Sequence, residues 1–499
     1  MIIVQNYIQS AKVLKKIEIK EGKSKIIRYF CIVKRFKYNF RCIFAVLLII
    51  LTTKASAQQT EAPQWVDSVD ISLLTCGPGQ EVWSYYGHTA LRIEDRAHGN
   101  DVAVNWGMFS FNQDFFVLRF VFGLTDYQIG IIPMDRFMAE YSYEGRWVRQ
   151  QRLALTRNEK WNILTAVEKN NQEENRTYRY NFFYDNCTTR ARNMIIDHLA
   201  TNCTDFEIKT TLSTYREEIH RLNAHHRWAR FGNDLLLGYR ADRAINKQEW
   251  EFLPDNLSMD FAVEARKDTA QQPIPSTTVY PQEPRYIKLV DSTFYLISPK
   301  EVVMAADADK ENSQTGTTIT DVISPFVAAT GILVIVILLS LTEWRRKKNF
   351  WWIDTALLVL TGLPGLILLA MVFSQHPTVQ INFQVLILNP LNLIFVWSVT
   401  KKMRQHRVHW YYNVWAALIV VALFLQIWQD YAEGMVILAL SLLVRVAVKS
   451  TRLAKKIDLT KNIDFTKNST SRRYRLYEGI QPLEGKSSTR SQQSFITKK

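Results

Sequence analysis

The chain has 499 residues, a formal charge of +15, five cysteines and a hydrophobic share of 47%, a length that suits a folded domain plus a membrane segment better than one globule. The charge does not point to nucleic acid. Residues 1–57 hold twelve Lys/Arg against two Asp/Glu and residues 449–499 thirteen against four, so the stretch between is slightly acidic at −4, and basic ends flanking apolar spans are the mark of membrane orientation.

Near the N-terminus, Lys34, Arg35, Lys37 and Arg41 precede an apolar run over 42–51, and Ala55-Ser56-Ala57 has the small-residue spacing of a cleavage site. Residues 1–57 read as a leader with an export signal cut after Ala57; the length of chain ahead of the apolar run also suits an uncleaved anchor. Residues 58–263 follow as an exported domain. Within it, 70–75 reads as a short buried strand, 76–79 as a turn, 89–93 as a strand starting beside His88, and 102–106 as its neighbour across a polar turn at 94–100. A further strand is expected at 146–155, a helix at 157–170 through Trp161, Leu164 and Val167, and an aromatic strand at 178–184. From Cys187 the spacing of Ala191, Met194, Ile195, His198 and Leu199 predicts a helix with Asn186 as N-cap, which puts Cys187 at a helix N-terminus. Helical pieces fill 213–263, and a Pro-, Thr- and Gln-containing linker, 264–321, holds a hairpin at 287–297.

Five apolar stretches follow, at 322–342, 351–373, 383–400, 411–429 and 432–448, predicting an all-α transmembrane domain over 322–448. Arg345-Arg346-Lys347-Lys348 follows the first, Lys401, Lys402, Arg404 and Arg407 the third, and Lys449, Arg452, Lys455 and Lys456 the fifth; the other two loops carry no Lys or Arg. Positive charge therefore alternates with the spans, placing 58–321 outside the cytoplasm and the basic tail, 449–499, inside it. Asn382, Gln384, Asn389, Asn392 and His376 gather around the start of the third span, as a head-group site or as helix-to-helix hydrogen bonds. Gly362, Pro364, Gly365 and Pro390 mark kinks or close contacts, and Arg445 is placed to snorkel.

Three cysteines fall in the exported domain. Cys76 and Cys203 are a candidate disulfide, and an odd count in an oxidising compartment leaves at least one thiol unpaired. A thiol is a useful nucleophile as thiolate, and a helix N-terminus with a nearby imidazole lowers its pKa from about 8.5 to roughly 3.5–7.5. Cys187 meets the first condition. His88, in Gly87-His88-Thr89-Ala90-Leu91-Arg92, meets the second if sheet and helix pack together, as base on the thiol and acid on the leaving group. Asn105, on the neighbouring strand, is the candidate for fixing the imidazole tautomer, and the Cys187 N–H for one oxyanion donor.

The order of His88, a strand bearing a polar residue, and Asn186-Cys187-Thr188 at a helix start resembles the circularly permuted papain-like, NlpC-type cysteine fold, in which histidine precedes cysteine. More closely, Thr75-Cys76-Gly77-Pro78-Gly79, Ser84-Tyr85-Tyr86-Gly87-His88, Asn105-Trp106-Gly107, Asn186-Cys187-Thr188-Thr189-Arg190, Phe231-Gly232-Asn233-Asp234-Leu235-Leu236-Leu237-Gly238 and Phe252-Leu253-Pro254 resemble the Lnb family of Bacteroidota. That resemblance implies an α+β exported domain of the permuted papain-like kind before a five-helix membrane domain in the bacterial inner membrane. It also implies N-acylation of lipoproteins with Cys187 as nucleophile and His88 as base. The partners implied are a phospholipid acyl donor, a lipoprotein acceptor and the membrane, with no nucleic acid, cofactor or metal. A cysteine hydrolase and a non-catalytic receptor or assembly factor are the rival readings.

Tyr86, with Ser84 and Glu81, is a candidate for lining the pocket or for packing the turn. Arg92 and Arg190 are candidates for a phosphate head group or for structural ion pairs. Trp106, Phe109, Phe111, Phe115, Phe116 and Phe120 suit an acyl groove, a membrane-dipping edge or ordinary core. Adjacent side chains diverge on a helix, so His225-His226 does not read as a metal pair.

Overall fold

A computed structural model describes residues 61–109, 114–115, 118–119, 122–201, 203–204, 213–267, 286–301 and 323–451. The leader and nearly all of the basic tail lie outside the described residues. The described residues from Pro63 onward belong to one compact unit, and all that follows concerns it.

Its N-terminal half is α+β. Strands β1 (Val69–Cys76), β2 (His88–Asp95), β3 (Asn100–Met108), β4 (Asp126–Pro133), β5 (Val148–Leu153), β6 (Thr177–Arg179) and, after the short strands β7 (Cys203–Thr204), β8 (Ala265–Lys267) and β9 (Tyr286–Lys288), β10 (Val290–Ile297) are present. Seven of them form one sheet in the order β10-β5-β1-β2-β3-β4-β6, antiparallel throughout. Period-2 alternation sorts their side chains onto two faces. Helix α1 (Met134–Tyr143) covers one face, where Leu74, Cys76, Ala90, Ala103, Phe137 and Tyr141 pack together. Helices α2 (Arg157–Asn171) and α3 (Cys187–Ile196) cover the other, where Ile71, Leu73, Leu91 and Val104 meet Ile163, Val167, Ala191 and Ile195.

Three expectations need correction here. The 178–184 stretch is a strand only as far as Arg179. Beyond it the Asn181 side chain accepts from the Phe183 and Tyr184 N–H groups and an Asn181–Asp185 bridge closes a turn, a local alternative to the ladder that asparagine supplies. The hairpin at 287–297 does not form, because β9 pairs with β8 while β10 crosses to the sheet edge on β5. Cys76 is a buried free thiol, so it is in no disulfide.

Helices α4 (Tyr215–Leu222), α5 (Arg227–Leu236) and α6 (Pro254–Val263) complete this half. The C-terminal half is helical: α7 (Pro325–Arg346), α8 (Trp351–Met371), α9 (Leu391–Arg404), α10 (Trp410–Leu425) and α11 (435–451). Among the described residues, Pro325–Arg346, Trp351–Met371 and Phe383–Arg404 are long and apolar enough to cross a membrane, and Trp410–Leu425 is shorter. The third is not one continuous helix: a single 3-10 turn, Phe383–Leu386, gives way at Asn389-Pro390 to α9, as a proline without an N–H dictates.

Polar groups inside this bundle are paired. The Asn392 side chain donates to Thr361 (2.7 Å) and accepts from the Tyr411 hydroxyl (2.6 Å), which gives it to helix association. Arg445 does not snorkel. It is fully buried and donates to Glu343 (2.6 Å) and Asp354 (2.8 Å), which Lys449 also meets at 2.5 and 3.1 Å. Two cations and two carboxylates neutralise one another where α7, α8 and α11 converge.

Candidate active site

Asn186 starts α3 by accepting from the Thr188 and Thr189 N–H groups, both at 2.9 Å, while Thr189 returns a hydroxyl to the Asn186 N–H at 2.9 Å. This capping box makes Cys187 the first helical residue, where the helix dipole favours negative charge. The Asn186 amide also donates to the carbonyls of Phe182 (2.7 Å) and Phe252 (2.9 Å), so the segment at Phe252 is tied to the turn that leads into the helix.

His88 is the first residue of β2. Gly87, before it, has φ +78 and lies so close to the Cys76 carbonyl that a Cβ would sit 2.7 Å from that oxygen, which only glycine tolerates. Asn105 sits on the same face, its backbone opposite Ala90. The His88 Nε2 lies 2.6 Å from Asn105 Oδ1; an amide oxygen only accepts, so Nε2 carries the proton and Nδ1 remains for the thiol. Burial pushes the Cys187 thiol up, but the adjacent His88 imidazole, hydrogen-bonded to it, and the Thr89 N–H pull it down to about 7. Burial works in the opposite sense on His88, and Cys187 and Asn105 together raise it above the usual histidine value. Cys187, His88 and Asn105 are thus brought together from a helix start and two strands.

They open onto a cavity of about 320 Å³. Trp83, Tyr86, Trp106, Phe109, Tyr127, Tyr180, Phe182 and Phe252 give it an aromatic wall, and Glu140, Glu144 and Arg146 its charges. Ser84 lines it while bonding back to Glu81. The Tyr86 hydroxyl accepts from the side-chain amides of Asn233 (2.6 Å) and Asn223 (3.3 Å). Arg92 and Arg190 do not line the cavity: Arg92 is bidentate on Asp101 and donates to Gln150, and Arg190 is bidentate on Asp185 and stacks 3.6 Å above the Tyr178 ring. Trp106 is buried in the core as well as lining the cavity, its indole donating to Asn170 at 2.9 Å. Phe115 is 76% exposed; Phe111, Phe116 and Phe120 lie outside the described residues.

The cavity is joined to the helical half through α5. Carbonyls at the end of this helix have no intrahelical partner, and here the Asp234 carbonyl receives Gln384 (2.8 Å), Leu235 receives Asn382 (2.8 Å) and Leu237 receives Gln429 (3.2 Å). Gly238 approaches Ile381 so closely that a Cβ would lie 2.0 Å from its carbonyl oxygen. Arg227 and Arg230 pair with Glu433. Both helix-connecting segments that touch this half, 372–390 and 426–434, are those without Lys or Arg, the side that the charge rule places outside the cytoplasm.

The chain matches the Lnb N-terminal periplasmic domain over residues 58–220 and the Lnb transmembrane domain over residues 317–457. It belongs to the Lnb family. No curated protein and no solved structure matches it. The Lnb pairing of a periplasmic with a transmembrane domain makes this a multi-pass membrane protein, and fits a place in lipoprotein processing.

Glu251, Asp260 and Glu264, missed in the sequence, form a buried carboxylate group behind this site, their ligand atoms within 4.8 Å of one another. Lys247 meets Asp260 (2.9 Å) and Glu264 (3.1 Å), and Arg192 meets Glu251 (3.3 Å). Burial raises the carboxyls of Glu251 and Glu264. The signal was present as acids at i, i+4 at the end of α6 and its C-cap, but nothing in the sequence brings Glu251 to them.

Proposed function

We propose that this chain is a lipoprotein N-acyltransferase of the inner membrane that moves an acyl chain through a thioester on Cys187. Supporting that reading are the family, the histidine-before-cysteine order of the permuted papain-like fold, and above all the observation that Cys187, at a helix start, is held against His88 and drawn down to about 7. The domain layout is an export leader to residue 57, a periplasmic domain, and five spans ending near residue 448.

In the first half-reaction the Cys187 thiolate attacks an ester carbonyl of a phospholipid. The C–O bond breaks, the lysolipid oxygen takes the proton held on His88, and the acyl group remains on sulfur. In the second, the α-amine of a diacylglyceryl-cysteine lipoprotein attacks the thioester, the C–S bond breaks, and His88 accepts the amine proton. Asn105 keeps Nε2 protonated so that Nδ1 does the exchange. The Cys187 N–H faces the developing oxyanion. An aromatic wall next to the sulfur suits an acyl chain and limits loss of the thioester to water.

Mass spectrometry of lipoprotein N-termini tests the assignment: Cys187→Ala abolishes N-acylation, and undiminished N-acylation refutes it. With purified protein in detergent, a radiolabelled acyl group passes to a lipopeptide amine; release of free acid alone identifies a hydrolase instead.

A further inference from the structure

Arg146 lies just before β5 and lines the same cavity as Cys187 and His88. Only 7% of it is exposed. Nε donates to the Gly77 carbonyl at 2.7 Å and Nη1 to Glu144 at 2.8 Å, and the guanidinium rests 4.7 Å from the centre of the Tyr141 ring. These contacts hold the fork rigidly while Nη2, itself buried, has no hydrogen-bond partner. A buried charged donor without an acceptor is costly and calls for a ligand that supplies one.

We infer that Arg146 reads the phosphate of the acyl donor, an inference that rests on the phospholipid reading above. A guanidinium fixed at two nitrogens presents its third to a phosphate oxygen in a set direction. The cavity's other charges limit which phosphate fits. Glu144 already neutralises part of Arg146, and Glu140 adds a second carboxylate, so a phosphodiester with one negative charge is favoured over a doubly charged monoester. The donor is thereby distinguished from a neutral diglyceride carrying the same acyl esters. Neither Arg92 nor Arg190 has this position, since neither lines the cavity.

Protection of Cys187 from alkylation tests this on the full chain in detergent. The probes are a short-chain diether phosphatidylethanolamine and the matching diether glycerol, neither of which can be cleaved. In the native protein the phosphate-bearing probe protects at a concentration at least about tenfold lower than the phosphate-free one, the scale of one charge-assisted hydrogen bond. In Arg146→Gln the two probes converge. In Arg146→Lys, which keeps a cation but not the fork, the difference is intermediate, and this variant serves if the glutamine variant does not fold. Equal protection by both probes in the native protein, or an unchanged ratio in Arg146→Gln or Arg146→Lys, overturns the inference. Because neither probe transfers an acyl group, the ratio holds or fails independently of whether a lipopeptide amine is acylated.

Discussion

The hydroxyls of Thr89 and Thr188 lie 3.0 Å apart and buried, tying the residue after His88 to the residue after Cys187. His88 and Cys187 come from elements far apart in the chain, and this bond fixes the strand that carries one to the helix that carries the other. Thr89→Val removes one hydroxyl and leaves the other buried with only the Cys187 sulfur, at 3.9 Å, as partner, a loss of about 1–3 kcal/mol. Thermal unfolding in detergent will show the loss, and Thr89→Val with Thr188→Val will recover part of it, since no orphaned hydroxyl then remains.

The species that iodoacetamide alkylates is the thiolate, so the rate of Cys187 alkylation rises with pH through a midpoint of about 7 and falls below it. His88→Asn removes the principal opposite to burial, and the midpoint moves up toward or beyond the ordinary cysteine value of about 8.5. At pH 7 this slows alkylation roughly tenfold or more. A pH–rate profile with iodoacetamide measures both.

Asn105→Ala leaves the thiol in place and frees the imidazole to choose its tautomer. Acyl transfer is expected to fall by roughly 10²-fold or more, on the scale of a misoriented general base, while Asn105→Gln restores part of it. Single-turnover acylation of Cys187, followed by intact-protein mass spectrometry, separates this from a loss of lipid binding.

Within the membrane, Asp354→Ala leaves Arg445 and Lys449 facing Glu343 alone. Breaking a buried pair on one side costs about 3–5 kcal/mol. Adding Arg445→Met restores charge balance and most of the stability, read as the temperature at which the detergent-solubilised protein aggregates.

The parts of the site that were legible in the sequence are those with local signals. Asn186 before Cys187 announces a helix start, and His88 and Asn105 follow from a hairpin whose turn, 94–100, is strongly polar. Strand β4 was not legible because Gly130 and the terminal Pro133 weaken its alternation, and with β4 went the aromatic wall residue Tyr127. Arg146 was invisible for a different reason: its importance depends on Gly77 and Glu144 holding two of its nitrogens, which is a long-range relation. The Arg445 network has the same character. Each charge alone reads as the polar end of a span, and only helix packing makes four of them one group.

The three amides of Asn382, Gln384 and Gln429 that finish α5 fix this helix to the segments joining the C-terminal helices. Through Asn233 and Tyr86 the same hold is passed on to the cavity wall. Changing one of these amides would therefore shift the cavity wall relative to the C-terminal helices.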